Sequence, residues 1–159
     1  MTDDTTHTCI FCRIMAGEAD ASIVAQNAHA VAFMDVRQAH PGHVLVVSRS
    51  HINDLREANA ATLVDVFTLV QQLTRAVGDT FPNDGMSLWH SIGAGGNQEV
   101  PHLHVHIHPR VMGDRLLEIY PEPPTLPARE DLDAWAEKLI AALSRSTDAQ
   151  TAHDATADH

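Results

Sequence analysis

Residues 101–110 of the chain, Pro-His-Leu-His-Val-His-Ile-His-Pro-Arg, place a histidine at every second position. Alternate side chains of a β-strand point to the same face, so these imidazoles would stand side by side about 6–7 Å apart. The aliphatic residues between them would point into the core. Because buried imidazoles need partners and often mark sites, the run indicates a functional site more than a strand with an incidental polar face. The four histidines are His102, His104, His106 and His108.

Three kinds of chemistry fit such a row. Histidines on one strand face can ligate Zn²⁺ or Fe²⁺, although a hydrolytic metal site normally adds a carboxylate or a histidine from another strand. A neutral imidazole can also act as a nucleophile near pH 7 while its neighbours orient it and transfer protons. The third alternative is a pH-sensitive binding surface without catalysis.

The loop directly before the row helps to choose among these alternatives. Residues 92–100, Ile-Gly-Ala-Gly-Gly-Asn-Gln-Glu-Val, contain three glycines and an amide pair. This composition permits close approach of the backbone to an anion, although a glycine-rich loop can also be a plain connector. Beside a row of imidazoles, the loop favours phosphorus chemistry over a bare metal centre.

Cys9 and Cys12 are the only cysteines and form a Cys-x-x-Cys pair. A single three-residue disulfide would be unusual for a secreted chain of this size, so a metal pair or redox pair in a reducing compartment is favoured. The pair does not follow a βα unit, which weighs against a redox couple. A packed turn without metal or redox chemistry remains the third interpretation. A zinc site would need two further ligands.

Composition excludes several classes of protein. The 159 residues carry a net charge of −11 with histidine neutral, which argues against binding long nucleic acids because they require a basic surface. The apolar runs are too short to span a bilayer, so no membrane association is expected. The acidic N-terminus lacks the features of a secretory signal, and the cytoplasm is therefore the expected location.

The periodicity of apolar residues predicts an α+β domain with a five-stranded antiparallel sheet. Two strands flank a turn at Gln26 and Asn27, and a third follows the Pro41-Gly42 turn. A long helix begins near Asn59, which is an acceptable N-cap. Residues 85–92 and 102–110 supply the fourth and fifth strands. A C-terminal helix is predicted over 129–144.

The ends of the chain are small, polar and aperiodic. Residues 1–8 are predicted to be flexible and residues 146–159 to be disordered. Between them we predict a folded domain at 9–115, followed by a Pro-rich connector and the C-terminal helix at 116–145.

Three segments together resemble the histidine triad (HIT) family. His-Leu-His-Val-His-Ile-His, residues 102–108, matches the family's alternating signature except at its last position, where an aliphatic residue is usual. Residues 35–52 resemble the strand and loop that precede the long helix of the family. The Cys-Ile-Phe-Cys segment resembles its zinc-bearing bacterial and Hint-like members. The resemblance covers residues 9–115 and implies a HIT-like fold.

The resemblance implies a nucleotide hydrolase or transferase that works through a covalent nucleotidyl-histidine intermediate. Its substrates would be nucleoside 5′-phosphoramidates or dinucleoside polyphosphates. A nucleotide-binding regulatory module with little turnover is the alternative. By position, His104 is the expected nucleophile and His106 contacts the phosphate, while His102 and His43 complete the relay. The expected substrate-binding residues are Asp35 at the ribose hydroxyls and, around the phosphate, Ser91, Asn97, Gln98, Val100 and His106.

The resemblance also implies a structural zinc ion and a homodimer. His51 and His102 match the positions at which zinc-bearing relatives complete a site with two cysteines, so the expected ligands are Cys9, Cys12, His51 and His102. Two departures affect the site itself: Ser91 stands where Asn or Gln is commoner, and His108 replaces an aliphatic residue.

Overall fold

Apart from a short N-terminal helix, the strands and helices follow one another along the chain in the order that the sequence predicts. The structure is a computed structural model that describes residues 8–117 and 122–157, with side chains given up to residue 145. It divides into two units, residues 1–116 and 117–159. The elements are α1 (Ile10–Met15), β1 (Ile23–Gln26), β2 (Ala30–Met34), β3 (Val44–Ser48), α2 (Ala60–Thr80), β4 (Gly85–Trp89), β5 (His104–Arg110) and α3 (Arg129–Ala157).

The five strands form one antiparallel sheet in the order β1-β2-β3-β5-β4. The expected α+β fold with a five-stranded antiparallel sheet is confirmed. β5 lies between β3 and the edge strand β4, so the backbone of the histidine row is held on both sides by ladder hydrogen bonds. This position gives the row a rigid support, which precise placement of its side chains requires.

The two faces of β5 have different partners, as the alternation predicts. Leu103, Val105 and Ile107 are buried, and the two residues within the strand join the core beneath α2. The opposite face of the sheet carries a smaller apolar cluster that includes Phe11 of α1 and Leu45 of β3. His104 and His106 project from this second face, beside that cluster, because they pair with Val47 and Leu45 in the ladder with β3.

α2 begins where its capping residue predicts. The side chain of Asn59 accepts a hydrogen bond from the backbone N–H of Thr62, which satisfies one of the free donors of the first turn. Val66, Val70, Leu73 and Val77 are buried against the sheet. Phe67 of the same helix is 47% exposed.

The C-terminal unit differs from the sequence prediction in length. α3 extends from Arg129 to Ala157, whereas we expected a helix over 129–144 and a disordered tail at 146–159. The segment contains no glycine or proline after Pro127 and several alanines, so nothing in its composition interrupts a helix. The flexibility expected for residues 1–8 concerns, apart from Thr8, residues outside the described part.

None of the described helices is both long and apolar enough to cross a membrane.

Candidate active site

His104 is the first residue of β5, and its ring is fixed by the backbone beside it. Its side chain is buried, and Nδ1–H donates to the carbonyl of His102 at 2.6 Å. That bond sets the tautomer in which Nε2 carries the lone pair. Burial lowers the pKa of His104 despite this hydrogen bond, so the ring is neutral at pH 7. A neutral, oriented imidazole is a competent nucleophile.

A further histidine, His90, supports the backbone of His104. Its Nδ1–H donates to the carbonyl of His104 at 2.8 Å, and its Nε2 accepts from the backbone N–H of Leu55 at 3.3 Å. His90 therefore connects the end of β4, the start of β5 and the 3₁₀ turn Leu55–Glu57. The role of His90 is not predictable from its position in the sequence, because only the register between β4 and β5 brings it here.

His106 and His43 form a hydrogen-bonded pair next to His104. Nδ1 of His106 lies 3.0 Å from Nε2 of His43, while Nδ1–H of His43 donates to the carbonyl of Arg37 at 2.8 Å. With both rings neutral, His106 is the donor to His43 and its own Nε2 carries a lone pair. Burial, followed by the neighbouring His104 and His43, lowers the pKa of His106 to about 3. The His106 ring is therefore neutral at pH 7 in the ligand-free protein.

The turn before β3 places His43. Gly42 has a φ of +108°, which L side chains rarely adopt, and a Cβ atom there would lie 2.6 Å from the ring of Phe81. The Pro41-Gly42 turn therefore depends on glycine for both its conformation and its contact with Phe81. Through this turn, the end of α2 fixes the position from which His43 reaches His106.

Trp89 provides a planar surface for His106. The two residues are register partners in the β4–β5 ladder, and their rings stack with centroids 4.3 Å apart and an interplanar angle of 6°. The stack holds the His106 ring parallel to the indole and can favour its protonated form through a cation–π interaction. The contact of Trp89 with His106 is likewise not predictable from the sequence, because it depends on the register of the two strands.

Asp35 lies on the other side of the pair. It is 7% exposed, its Oδ1 accepts from the backbone N–H of Arg37 at 2.8 Å, and its Oδ2 is 3.6 Å from Nδ1 of His43. The carboxylate is thus at the site, as expected, and its negative charge is available to a proton on His43. Its role towards ribose stays a prediction.

The glycine-rich loop is more internally bonded than its composition suggests. The backbone N–H groups of Gly96, Asn97 and Gln98 are used in a 3₁₀ turn, in which Asn97 adopts a left-handed φ of 59°. The side-chain amide of Gln98 donates to the carbonyl of Asn53 at 2.6 Å and accepts from Gly93 N–H at 2.9 Å. The Gln98 side chain therefore stabilises the loop through two hydrogen bonds in the ligand-free structure.

The remaining predicted binding residues have less specific surroundings. Ser91 is half-buried at the start of this loop, and Val100 packs against the apolar cluster around Phe11.

A salt bridge that the sequence does not predict joins the glycine-rich loop to the loop after β2. Arg37 donates two hydrogen bonds, of 2.9 and 2.7 Å, to the carboxylate of Glu99.

A cluster of four potential metal ligands adjoins the histidine row. The ligand atoms of Cys9, Cys12, His51 and His102 all lie within 4.8 Å of one another. His102 Nδ1 is 3.3 Å from Cys9 Sγ, and His51 Nδ1 is 3.2 Å from Cys12 Sγ. Elements far apart in the sequence therefore bring together the four residues that the resemblance implied.

The chemistry of these four residues fits a zinc ion. His102 Nε2–H donates to the carbonyl of Ser48 at 2.7 Å, which leaves the lone pair on Nδ1, the nitrogen that faces the sulfurs. A metal-bound histidine typically has this second-shell hydrogen bond. Burial and the adjacent Cys9 raise the pKa of Cys12 to about 11, so a cation would be needed to hold the Cys12 sulfur as a thiolate. Two thiolates and two imidazoles are a set typical of structural zinc.

Comparison with known proteins identifies relatives over most of the chain. Residues 16–112 match the HIT domain family. The chain is 35% identical over 102 residues to protein hit of Bacillus subtilis, which spans 64% of this chain and 70% of that protein. It is 29% identical over 133 residues to the adenosine 5′-monophosphoramidase hnt1 of Schizosaccharomyces pombe, spanning 83% and 96% of the two chains.

Solved structures similar to this chain also include members of the histidine triad family. A histidine triad nucleotide-binding protein from Candida albicans has a TM-score of 0.76 and 26% identity, with 87% of this chain and 99% of that chain covered. A member of the HIT family from Bacillus subtilis has a TM-score of 0.77 and 29% identity, covering 84% and 95%.

Proposed function

The chain belongs to the HIT domain family, and on this basis we propose that it is a nucleotide hydrolase or transferase acting through a covalent nucleotidyl-histidine intermediate. Its substrates are nucleoside 5′-phosphoramidates or dinucleoside polyphosphates. The observation that carries the proposal is the neutral His104 ring, whose Nδ1–H is engaged by the carbonyl of His102 so that Nε2 holds the lone pair. The phosphoramidase hnt1 among the relatives supports it.

The first chemical step forms a bond between His104 Nε2 and the α-phosphorus while the bond from phosphorus to the leaving group breaks. A leaving amine needs a proton, and His106 Nε2 can give it once the His43–His106 pair has taken up a proton. The anionic phosphate beside the pair favours that uptake, as does the Asp35 carboxylate 3.6 Å from His43. In the second step water attacks phosphorus and its proton passes to His106, while the bond from phosphorus to His104 Nε2 breaks and its electron pair returns to that nitrogen. The nucleoside monophosphate is then released.

Most of the rate enhancement would come from orientation. His104 is fixed by its bond to the His102 carbonyl, and His106 by His43 and the Trp89 ring. Groups held in reacting geometry before substrate arrives convert a bimolecular reaction into an effectively unimolecular one.

The experiment that tests the proposal is a substrate panel. Adenosine and guanosine phosphoramidates and dinucleoside polyphosphates are incubated with the protein, and monophosphate release is measured. Release with at least one class, and trapping of a nucleotide on His104 by rapid acid quench and mass spectrometry, are expected. Tight nucleotide binding without release would indicate a nucleotide-binding regulatory module instead.

Asp35 gives a prediction about the sugar. We propose that its carboxylate accepts from the ribose hydroxyls, so a 2′-deoxy substrate should lose one charged hydrogen bond, worth about 1.5–3 kcal/mol. That loss corresponds to a fall of about 10-fold or more in kcat/KM. The measurement compares ribo- and deoxyribonucleoside phosphoramidates in the wild type and in Asp35→Ala. Equal values for both sugars in the wild type, or undiminished discrimination in the variant, would refute the assignment.

We further propose that Cys9, Cys12, His51 and His102 hold a structural zinc ion. When bound, the ion would tie the N-terminal segment to the start of the histidine row. It would not activate water, because all four positions of the site are occupied by protein ligands. Thiolate ligands also favour a reducing compartment such as the cytoplasm.

A homodimer is the expected assembly, and the structure offers two surfaces for it. β4 is an edge strand whose Leu88 is 45% exposed, and α2 carries Val64 and Phe67 at 65% and 47% exposure. Light scattering at micromolar concentration should give twice the chain mass, and Phe67→Glu or Leu88→Lys should shift the protein towards monomer. A monomer mass for the wild type would contradict this prediction.

A further inference from the structure

His108 is a buried histidine that the proposed mechanism does not use. It occupies the last signature position, where an aliphatic residue is usual, and it is 1% exposed. Its Nδ1–H donates to the carbonyl of Pro109 at 2.6 Å, so Nε2 carries a lone pair. Within the described residues this is the only buried side-chain nitrogen or oxygen without a hydrogen bond. An unsatisfied buried nitrogen costs stability, and an aliphatic side chain would avoid that cost.

The surroundings of His108 connect it to the reactive groups. Its ring centroid is 4.6 Å from that of His43, and the His43 ring stacks on His106 with centroids 5.2 Å apart. His43 therefore contacts both His106 and His108 of β5. Trp89 borders all three rings, with its centroid 4.3–6.3 Å from theirs.

Several charged or titratable groups face this stack. The loop after β2 contributes the Asp35 carboxylate near His43, and Arg37, whose positive charge lowers the pKa of His106. From β5, His104 also lowers the pKa of His106, and His90, which follows β4, has the same effect.

On the far side of His108 lie His40 and Arg110. The His40 ring contacts His108 with centroids 5.8 Å apart, and its Nε2 is 3.2 Å from Asp114, which also pairs with Arg110. Burial and then the neighbouring His43, His40 and Arg110 lower the pKa of His108. His108 thus stays neutral and adds no positive charge beside His43.

We propose that His108 is a positioning residue that holds His43 against His106 and supports the proton that this pair must carry when the leaving group departs. A neutral polar ring with an unused lone pair is a better neighbour for an imidazolium than an aliphatic chain, which offers no compensating dipole. The catalytic role of this proton rests on the proposed function. The proton affinity of the His43–His106 pair can be measured without turnover.

The test replaces His108 with leucine and follows the imidazole resonances of His43 and His106 by NMR as a function of pH. The protonated pair is present below its pKa and is lost as pH rises through it. Because leucine removes polar support, the midpoint should fall by about 0.5 unit or more, a threefold loss of protonated pair above the midpoint. In activity assays, the alkaline limb of the pH profile of kcat/KM should move to lower pH by the same amount.

Three further variants make the result decisive. His108→Gln restores a polar group and should recover most of the midpoint shift. His40→Leu removes a ring that contacts His108 but keeps His108 itself, so it should leave the midpoint unchanged. His108→Met replaces the leucine variant if thermal unfolding shows that leucine is not tolerated. An unchanged midpoint in the folded leucine or methionine variant, or a loss that His108→Gln does not recover, would overturn the proposal. A wild type that binds nucleotide without turnover would refute the proposed function and not the role of His108. The NMR midpoint tests that role separately, because it is measured without turnover.

Discussion

Replacing His104 with alanine is expected to lower kcat by at least about 1,000-fold while the affinity for nucleotide stays nearly unchanged. The variant loses the atom that forms the bond to phosphorus, but the surrounding contacts to phosphate and ribose remain. An effect on kcat without an effect on ground-state binding is the pattern of an interaction made only in the transition state. Single-turnover kinetics measure the first quantity, and calorimetric titration with nucleoside monophosphate measures the second.

A matched control is His29→Ala. His29 pairs with Asp65 at 2.6 Å in the turn between β1 and β2, away from the histidine row, and the variant should retain wild-type kcat. If His104→Ala keeps more than about a tenth of wild-type kcat, which is a loss of less than about 1.4 kcal/mol, His104 is not the nucleophile.

Removal of the metal is expected to have the second large effect, and this effect is on stability. Protein purified without added metal should contain about one zinc per chain, and a Cys9→Ser/Cys12→Ser variant should contain almost none. A ligand bound at 100 times its dissociation constant stabilises a fold by about 2.7 kcal/mol. For a unit of this size, loss of such a ligand lowers Tm by about 10 °C. Elemental analysis and thermal unfolding measure the two results.

The proposed zinc site also makes a prediction about kcat. The carbonyl of His102 accepts the hydrogen bond that orients His104, so loss of metal should lower kcat, but by much less than the His104→Ala substitution does. Ser48→Ala serves as the control for loss of a buried hydrogen bond without loss of metal, because its hydroxyl donates to the carbonyl of Ser50 while its backbone carbonyl contacts His102. Metal-free wild-type protein with both thiols intact and full thermal stability would contradict the zinc site. Zinc found on His104 would contradict both assignments.

The sequence predicts the faces of the central strand because alternation is a local property. Leu103, Val105 and Ile107 are buried where the period of two places them, and His104 and His106 share the opposite face. His102 differs: it precedes the first residue of β5. Its ring is turned by a bond to Ser48 and lies near the cysteines, a placement that only the three-dimensional path of residues 9–12 determines.

The partners of the row were not predictable because they depend on register and on tautomer. Trp89 stacks on His106 only because β4 pairs with β5 in one of several sterically allowed registers. Likewise, Gln98 was expected near the phosphate, but its amide is engaged by Asn53 and Gly93, which are contacts that no spacing rule encodes. Long-range hydrogen bonds of this kind determine which side-chain atoms remain available to bind a ligand.

The stack of Trp89 on His106 gives the protein an internal optical probe. The chain contains only two tryptophans, and the other, Trp135, belongs to the C-terminal unit. A protonated imidazole in ring contact quenches indole emission more strongly than a neutral one. In a Trp135→Phe background the fluorescence would therefore come from Trp89 alone and would follow both nucleotide arrival and the proton on His106. Stopped-flow emission could then time proton uptake against formation of the phosphorus–nitrogen bond, without any label attached to the substrate.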